Sequence, residues 1–315
     1  MHTYDRALVL GPGGLVGTAW MAGLACGLRR DGVDLGEADL IVGTSAGAIV
    51  GALLATGQDP GRLATSTRSA AHRPTVDPAR TDAVFALLGN RGLDPAEARR
   101  HIGRLALQSS SPEADAALMA GRAALIGADT WPRRRLLVTA VDATSGEPVV
   151  WDRDSGVPLV AAVAASSAFP GAAPPVAVDG RRYMDGALRS GSNADLAAGA
   201  RTLVVVEPLA HQFPREQLTE QLAEVGGGHR GDHRPRSGLG AGFRLGPRRS
   251  GSLGTGLPGR SSPGRRGRGA TALHLADSGH RGLTLTSREG DRPGQIRTGG
   301  IGQVRRHATP VSPRR

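Results

Sequence analysis

Lysine is absent from this chain of 315 residues, so all 39 basic side chains are arginine, the composition of a GC-rich coding sequence. Cysteine is nearly absent too. Cys26 alone excludes an intrachain disulfide framework and a cysteine-rich metal site, and it fits a reducing compartment. Its expected place is the buried face of the first helix. No apolar run approaches the roughly 18 to 20 residues needed to span a bilayer. The N-terminus lacks the succession of basic, apolar and cleavage regions that marks a signal peptide, because strand-like Ala7-Leu8-Val9-Leu10 begins almost at once. A soluble, cytoplasmic protein is the expectation.

Acidic residues are scarce only at one end. Residues 1–225 carry 21 Arg against 24 Asp and Glu, a net of −3, whereas residues 226–315 carry 18 Arg against 4, a net of +14. The high overall charge therefore belongs to the tail and says nothing about nucleic acid or anionic membrane at the body. The tail also holds 22 Gly, few aliphatics and only Phe243 as an aromatic, so it cannot bury a core and is expected to be disordered or aberrant. One reading is a basic arm for nucleic acid or acidic lipid, though the interleaved aromatics of such arms are missing. The other is translation in a shifted frame. Residues 229–234 can be encoded so that reading one base later gives Ile-Val-Val-Thr-Ile-Val, an apolar strand, and 252–259 so that it gives Pro-Trp-Glu-Pro-Ala-Tyr-Arg.

The body, residues 1–225, alternates strand-like and helix-like segments and is long enough for one substantial domain. Strands are expected at 6–10, 39–42, 135–141, 148–151, 182–184 and 202–207, and helices at 17–30, 45–56, 161–165 and 194–199. Between about 59 and 127 no strand pattern occurs. Asp94-Pro95-Ala96-Glu97 and Ser111-Pro112-Glu113 instead place a capping side chain before a proline at the first helical position. This is an all-helical insertion, suited to a lid, a substrate-binding cap or plain structural padding.

Chemistry concentrates at two glycine-rich turns. Gly43-Thr44-Ser45-Ala46-Gly47 stands between the apolar stretch Leu40-Ile41-Val42 and an apolar helical run, the layout of a nucleophile elbow. Glycine on both sides leaves room where a Cβ would strike neighbouring packing, and the following helix directs free N–H groups toward any anion formed at Ser45. The first strand runs into Gly11-Pro12-Gly13-Gly14-Leu15-Val16-Gly17. A dinucleotide site would need an acidic residue ending the second strand, but that strand enters the serine turn instead. The remaining use of the loop is an oxyanion hole, with Gly13 and Gly14 as donors and Leu15 as a third; Pro12 has no N–H to give. The histidines of the body, His2, His72, His101 and His211, lie in no setting that marks a base. Asp185, delivered by a short strand into Asp185-Gly186-Ala187, is the alternative.

Over residues 6–207 the chain resembles the patatin-like phospholipases, or lipid acyl hydrolases. The resemblance rests on the Gly11–Gly17 loop, the Ser45 elbow, the block Ala165-Ser166-Ser167-Ala168-Phe169-Pro170-Gly171 with Pro174-Pro175-Val176, the Asp185-Gly186-Ala187 motif and Asn193. It implies a three-layer α/β/α sandwich around a mainly parallel sheet. It also implies a Ser-Asp dyad: Ser45 as nucleophile, Asp185 as general base and acid, Gly11, Gly17, Gly43, Gly47 and Gly186 shaping the turns, and no metal or cofactor. A carboxylate with a pKa near 4 would be a weak base for this task. The implied partner is a lipid or other acyl ester, met peripherally at a membrane surface, with no specific nucleic acid and the oligomeric state open. Pro12 and Val16 depart from the family, which often has glycine at the first position and usually a basic residue at the second. An acyltransferase sharing the acyl-enzyme, and a catalytically impaired lipid- or nucleic-acid-binding protein, are the alternative functions.

Overall fold

A computed structural model describes residues 4–63, 76–226 and 271–275. Five strands run parallel: β1 (Tyr4–Leu10), β2 (Leu40–Gly43), β3 (Arg135–Asp142), β7 (Ala200–Val206) and β8 (Thr271–Leu275). β5 (Val176–Val178) and β6 (Arg181–Asp185) extend the sheet antiparallel beyond β3, giving the order β5-β6-β3-β2-β1-β7-β8, and β4 (Pro148–Trp151) also pairs antiparallel with β3. The mainly parallel sheet agrees with the alternation in the sequence.

Strands covered on both faces must be apolar at every position, and β2 is buried throughout. Its period of two divides the core. Leu8, Leu10 and Ile41 face α1 (Gly14–Arg30), α2 (Ala46–Ala55) and α6 (Leu159–Ser166). Ala7, Val9, Leu40 and Val42 face the 3₁₀ turn Ala194–Ala197 and α7 (Arg215–Gly226). All ten residues of α2 are buried, so this helix is apolar around its whole circumference and forms the centre of one layer.

Every described element between α2 and β3 is helical: α3 (Pro78–Gly89), α4 (Pro95–Leu107) and α5 (Pro112–Ile126). Each begins with proline after a side-chain cap. Asp77 accepts from Arg80 N (3.0 Å), Asp94 from Ala96 N and Glu97 N (2.9 and 3.0 Å), and Ser111 from Ala114 N (3.1 Å).

Several elements differ from the sequence expectation. α1 starts at Gly14, at φ 55°, rather than at Gly17, and packing demands glycine at two positions beside that start: a Cβ on Gly13 would lie 2.7 Å from Gly17 Cα, and one on Gly17 would lie 3.0 Å from Pro208 Cβ. The segment at 194–199 forms only a 3₁₀ turn. α7 was not expected, although Leu218 and Val225 at a seven-residue spacing are both buried. Cys26 is half-buried rather than buried, with Asp59 Oδ1 at 3.8 Å from its sulfur. β8 lies within the glycine- and arginine-rich tail, where no strand was expected, and pairs with β7 from Thr202–Thr271 to Val206–Leu275. The rest of that tail, including both segments with a shifted-frame reading, lies outside the described residues.

α2 and β1 approach each other closely. A Cβ on Gly47 would sit 2.0 Å from the Leu10 carbonyl oxygen, an overlap with backbone that no rotamer relieves. Gly47→Ala is therefore expected to destabilise the fold by about 3 kcal/mol or to prevent folding. Gly23→Ala, on the open face of α1 with nothing within 4 Å, is expected to stabilise by about 0.5–1 kcal/mol. Thermal melts of the two variants check this pair of opposite signs.

Candidate active site

The register of the sheet brings the two turns together. Leu10 pairs with Gly43, and Gly43 with Val138, so the ends of β1 and β2 lie side by side. Asp185 pairs with Ala140, two residues beyond Val138, just as Ser45 is two residues beyond Gly43. Nucleophile candidate and acid candidate thus leave the sheet at the same height, on the two sides of β3.

Ser45 occupies the N-cap of α2 with φ 56° and ψ −118°, a left-handed backbone that a serine adopts only when its surroundings enforce it. Those surroundings are specific. Thr44 N donates to Leu10 O (3.0 Å), Ser45 N donates to Ser166 Oγ (2.9 Å), and a Cβ on Gly43 would meet Ala48 Cα at 2.7 Å. Ser45 itself is 7% exposed.

Asp185 is fully buried. Its backbone N donates to Ala168 O (3.1 Å) and its Oδ1 accepts from Ala187 N (2.8 Å), while Oδ2 has no hydrogen-bond partner. Burial raises its pKa to about 7, against the opposing pull of the Ala187 N–H, the nearby Ser45 hydroxyl and the Arg122 charge. The Ser45 hydroxyl is near enough to favour the carboxylate, yet the two do not form a well-aligned hydrogen bond; catalytic pairs often close only when substrate is bound. The expectation of an ordinary, weak carboxylate base is corrected by this burial. Gly186 permits it, since a Cβ there would lie 2.1 Å from Thr139 Oγ1.

A buried polar lattice joins the elbow to the aspartate turn. Asn193, itself left-handed at φ 60°, donates from Nδ2 to Thr44 Oγ1 (2.9 Å) and Ser190 O (3.1 Å), and Thr44 and Thr139 share a 3.0 Å hydrogen bond between their hydroxyls. Gln221 of α7 accepts from Ser192 Oγ (2.7 Å) and Ala194 N (3.1 Å), pinning the segment from the other side.

The glycine loop lies next to this lattice. Gly11 N is used by Val206 O (2.9 Å), which removes it as a donor. Gly13 is the N-cap of α1, and Gly14 and Leu15 are its first two residues, where backbone N–H groups have no intrahelical acceptor. Leu15 and Val16 are 62% and 81% exposed. His101 lies beside Glu97 (3.7 Å), His211 is exposed, and neither contacts Ser45 or Asp185; His2 and His72 fall outside the described residues. Among the described residues no group of three or more His, Cys, Asp or Glu could hold a metal, and no helix is long and apolar enough to cross a membrane.

Sequence reasoning missed Thr44, Thr139, Ser190 and Gln221, polar residues whose burial only the fold reveals. It also missed Arg122, which reaches from α5 to donate from Nε to Ser167 Oγ (2.7 Å).

A family model described as patatin-like phospholipase matches residues 8–198, well over half of the chain. The chain belongs to the patatin-like phospholipase family. The match spans the glycine loop, the Ser45 elbow, Asp185 and Asn193 of this patatin-like domain. No curated protein matches the chain. Among solved structures, VipD from Legionella pneumophila is 16% identical with a TM-score of 0.33, covering 58% of this chain and 46% of that one. The type III effector protein ExoU is 21% identical with a TM-score of 0.30, covering 53% and 40%. This patatin-like chain thus spans less than half the length of either.

The raised pKa of Asp185 has a consequence for stability. With a folded pKa of about 7 and an unfolded value near 4, the folded state holds a proton that the unfolded state releases, so stability falls as pH rises through that interval and stays lower above it. Asp185→Asn removes the effect. Its thermal stability relative to the parent is expected to climb between about pH 4 and pH 7, by on the order of a few kcal/mol, and then level off. A difference that stays flat over that range would mean an ordinary carboxylate.

Proposed function

We propose that this protein is a serine hydrolase of lipid acyl esters, of the phospholipase A or lysophospholipase type, working through Ser45 and Asp185. The observation that carries the reading is the unpartnered, buried Oδ2 of Asp185 beside a serine held at φ 56°. Buried polar atoms are rarely left without partners, so an open acceptor at this place fits a group reserved for a proton in transit.

In the first half-reaction the Ser45 Oγ attacks the ester carbonyl carbon while its proton passes to Asp185 Oδ2. The carbonyl oxygen becomes an anion, held by the N–H groups of Gly13 and Gly14 and by the positive end of α1; Leu15 N–H is a third donor. One such donor is worth on the order of 100- to 1000-fold in rate. Collapse of the tetrahedral intermediate breaks the bond to the leaving alcohol, whose oxygen receives the proton from Asp185, and leaves an acyl group on Ser45. Water then attacks the acyl-enzyme, gives its proton to Asp185, and releases the fatty acid as Ser45 recovers its proton. A base with a pKa of about 7 can both take and return a proton at neutral pH, which a carboxylate at its ordinary pKa does poorly.

Hydrolysis of short-chain nitrophenyl esters tests the dyad. Ser45→Ala and Asp185→Asn are each expected to reduce kcat/KM by a factor on the order of 1000 or more while keeping the fold, and full activity in either variant would reject the assignment. For the parent, kcat/KM is expected to rise with pH through about 7 as Asp185 loses its proton. An acidic limb centred near 4 would mean that the base titrates as an ordinary carboxylate and would contradict the raised pKa of Asp185.

A further inference from the structure

Arg122 is half-buried and has an incomplete set of partners. Its Nε donates to Ser167 Oγ, which in turn donates to Val163 O (2.8 Å), but neither Nη group has a hydrogen-bond partner and no carboxylate lies within ion-pair distance among the described residues. A guanidinium withdrawn from water without a counter-charge is costly, and four unused N–H donors in a planar fork are suited to oxyanions.

Three consecutive residues at the end of α6 each hold one part of the site, and Ser167 holds Arg122. Ser166 Oγ accepts from Ser45 N, Ser167 Oγ accepts from Arg122 Nε, and Ala168 O accepts from Asp185 N (2.9, 2.7 and 3.1 Å). One short segment therefore holds nucleophile, base and cation around a single corner. The charge of Arg122 is felt at Asp185, although the two form no ion pair.

We infer that Arg122 is a specificity residue, binding the phosphate of a glycerophospholipid whose acyl ester is presented to Ser45. This rests on the proposed hydrolase reading and adds to it the residue that recognises the phosphate. In such a lipid the phosphate stands only a few bonds from the ester carbonyl, so a cation at the same corner as the nucleophile can hold the one while the other reacts. An acylglycerol with no phosphate leaves the fork unused, and the desolvation of Arg122 then goes uncompensated. Since α5 belongs to the helical segment between α2 and β3, that segment contributes recognition to a site whose Ser45 and Asp185 come from the sheet.

The test separates binding from turnover. In the Ser45→Ala full chain, binding of dihexanoyl phosphatidylglycerol and of dihexanoylglycerol is measured by equilibrium dialysis below the micelle concentration, with and without Arg122→Gln. The ratio of phospholipid to acylglycerol affinity is expected to fall at least about tenfold on the substitution, with Arg122→Lys, which keeps the charge but not the fork, in between. In the catalytically intact chain the ratio of kcat/KM on the two lipids is expected to fall in parallel. A ratio within twofold of the parent, or equal losses on both lipids, would overturn the inference and leave Arg122 as a brace between α5 and α6. If Arg122→Gln does not fold, Arg122→Lys decides on the same ratio. Loss of phospholipid binding on substitution, with no turnover of either lipid by the parent, would uphold the binding role and reject the hydrolase reading, so the two fail separately.

Discussion

The site depends on how closely α2 approaches the end of β1. With Gly47 pressed against the Leu10 carbonyl and Gly43 against Ala48, the chain has no room to leave β2 by an ordinary turn, and Ser45 is driven to positive φ. Strain of this kind persists only when its surroundings over-determine it. Here they do, through the Thr44–Leu10 and Ser45–Ser166 hydrogen bonds. The same close approach that lifts the hydroxyl also aims the start of α2 at it, so geometry and electrostatics arise from one packing contact.

A second constraint balances the first. Asp185 is buried deeply enough to raise its pKa to about 7, and that burial is stable only because the turn around it is tied on both sides. Asn193 links the turn to Thr44, and Gln221 links it to α7. The lattice satisfies its own donors and leaves Asp185 Oδ2 open. In the proposed chemistry this division is functional: rigid, satisfied groups hold position while one unsatisfied atom exchanges a proton.

Much of this was legible in the sequence. The Ser45 elbow, the Gly13-Gly14 loop and Asp185-Gly186 were all visible because each needs glycine at a particular place, and glycine is conspicuous. The capped prolines at Asp94 and Ser111 were visible for the same reason, since the signal is local. What was not legible depends on contacts distant in sequence. The pKa of Asp185 follows from burial under α6 and β3, and the role of Ser166 at the Ser45 N–H spans more than a hundred residues. Arg122 gave no sign at all, because an arginine on a helix ordinarily reads as a solvated face. The start of α1 at Gly14 was missed because low helix propensity argued against glycine, whereas the positive φ of 55° at which the chain enters the helix favours it.

The most direct measurement is intact-mass spectrometry of the protein quenched in the steady state with a slowly deacylated ester, followed by peptide mapping. One acyl group per chain, located on Ser45 and absent from Ser45→Ala, is the expected result. Rapid ester turnover with no acyl group on Ser45, or with the adduct on another residue, would contradict the account.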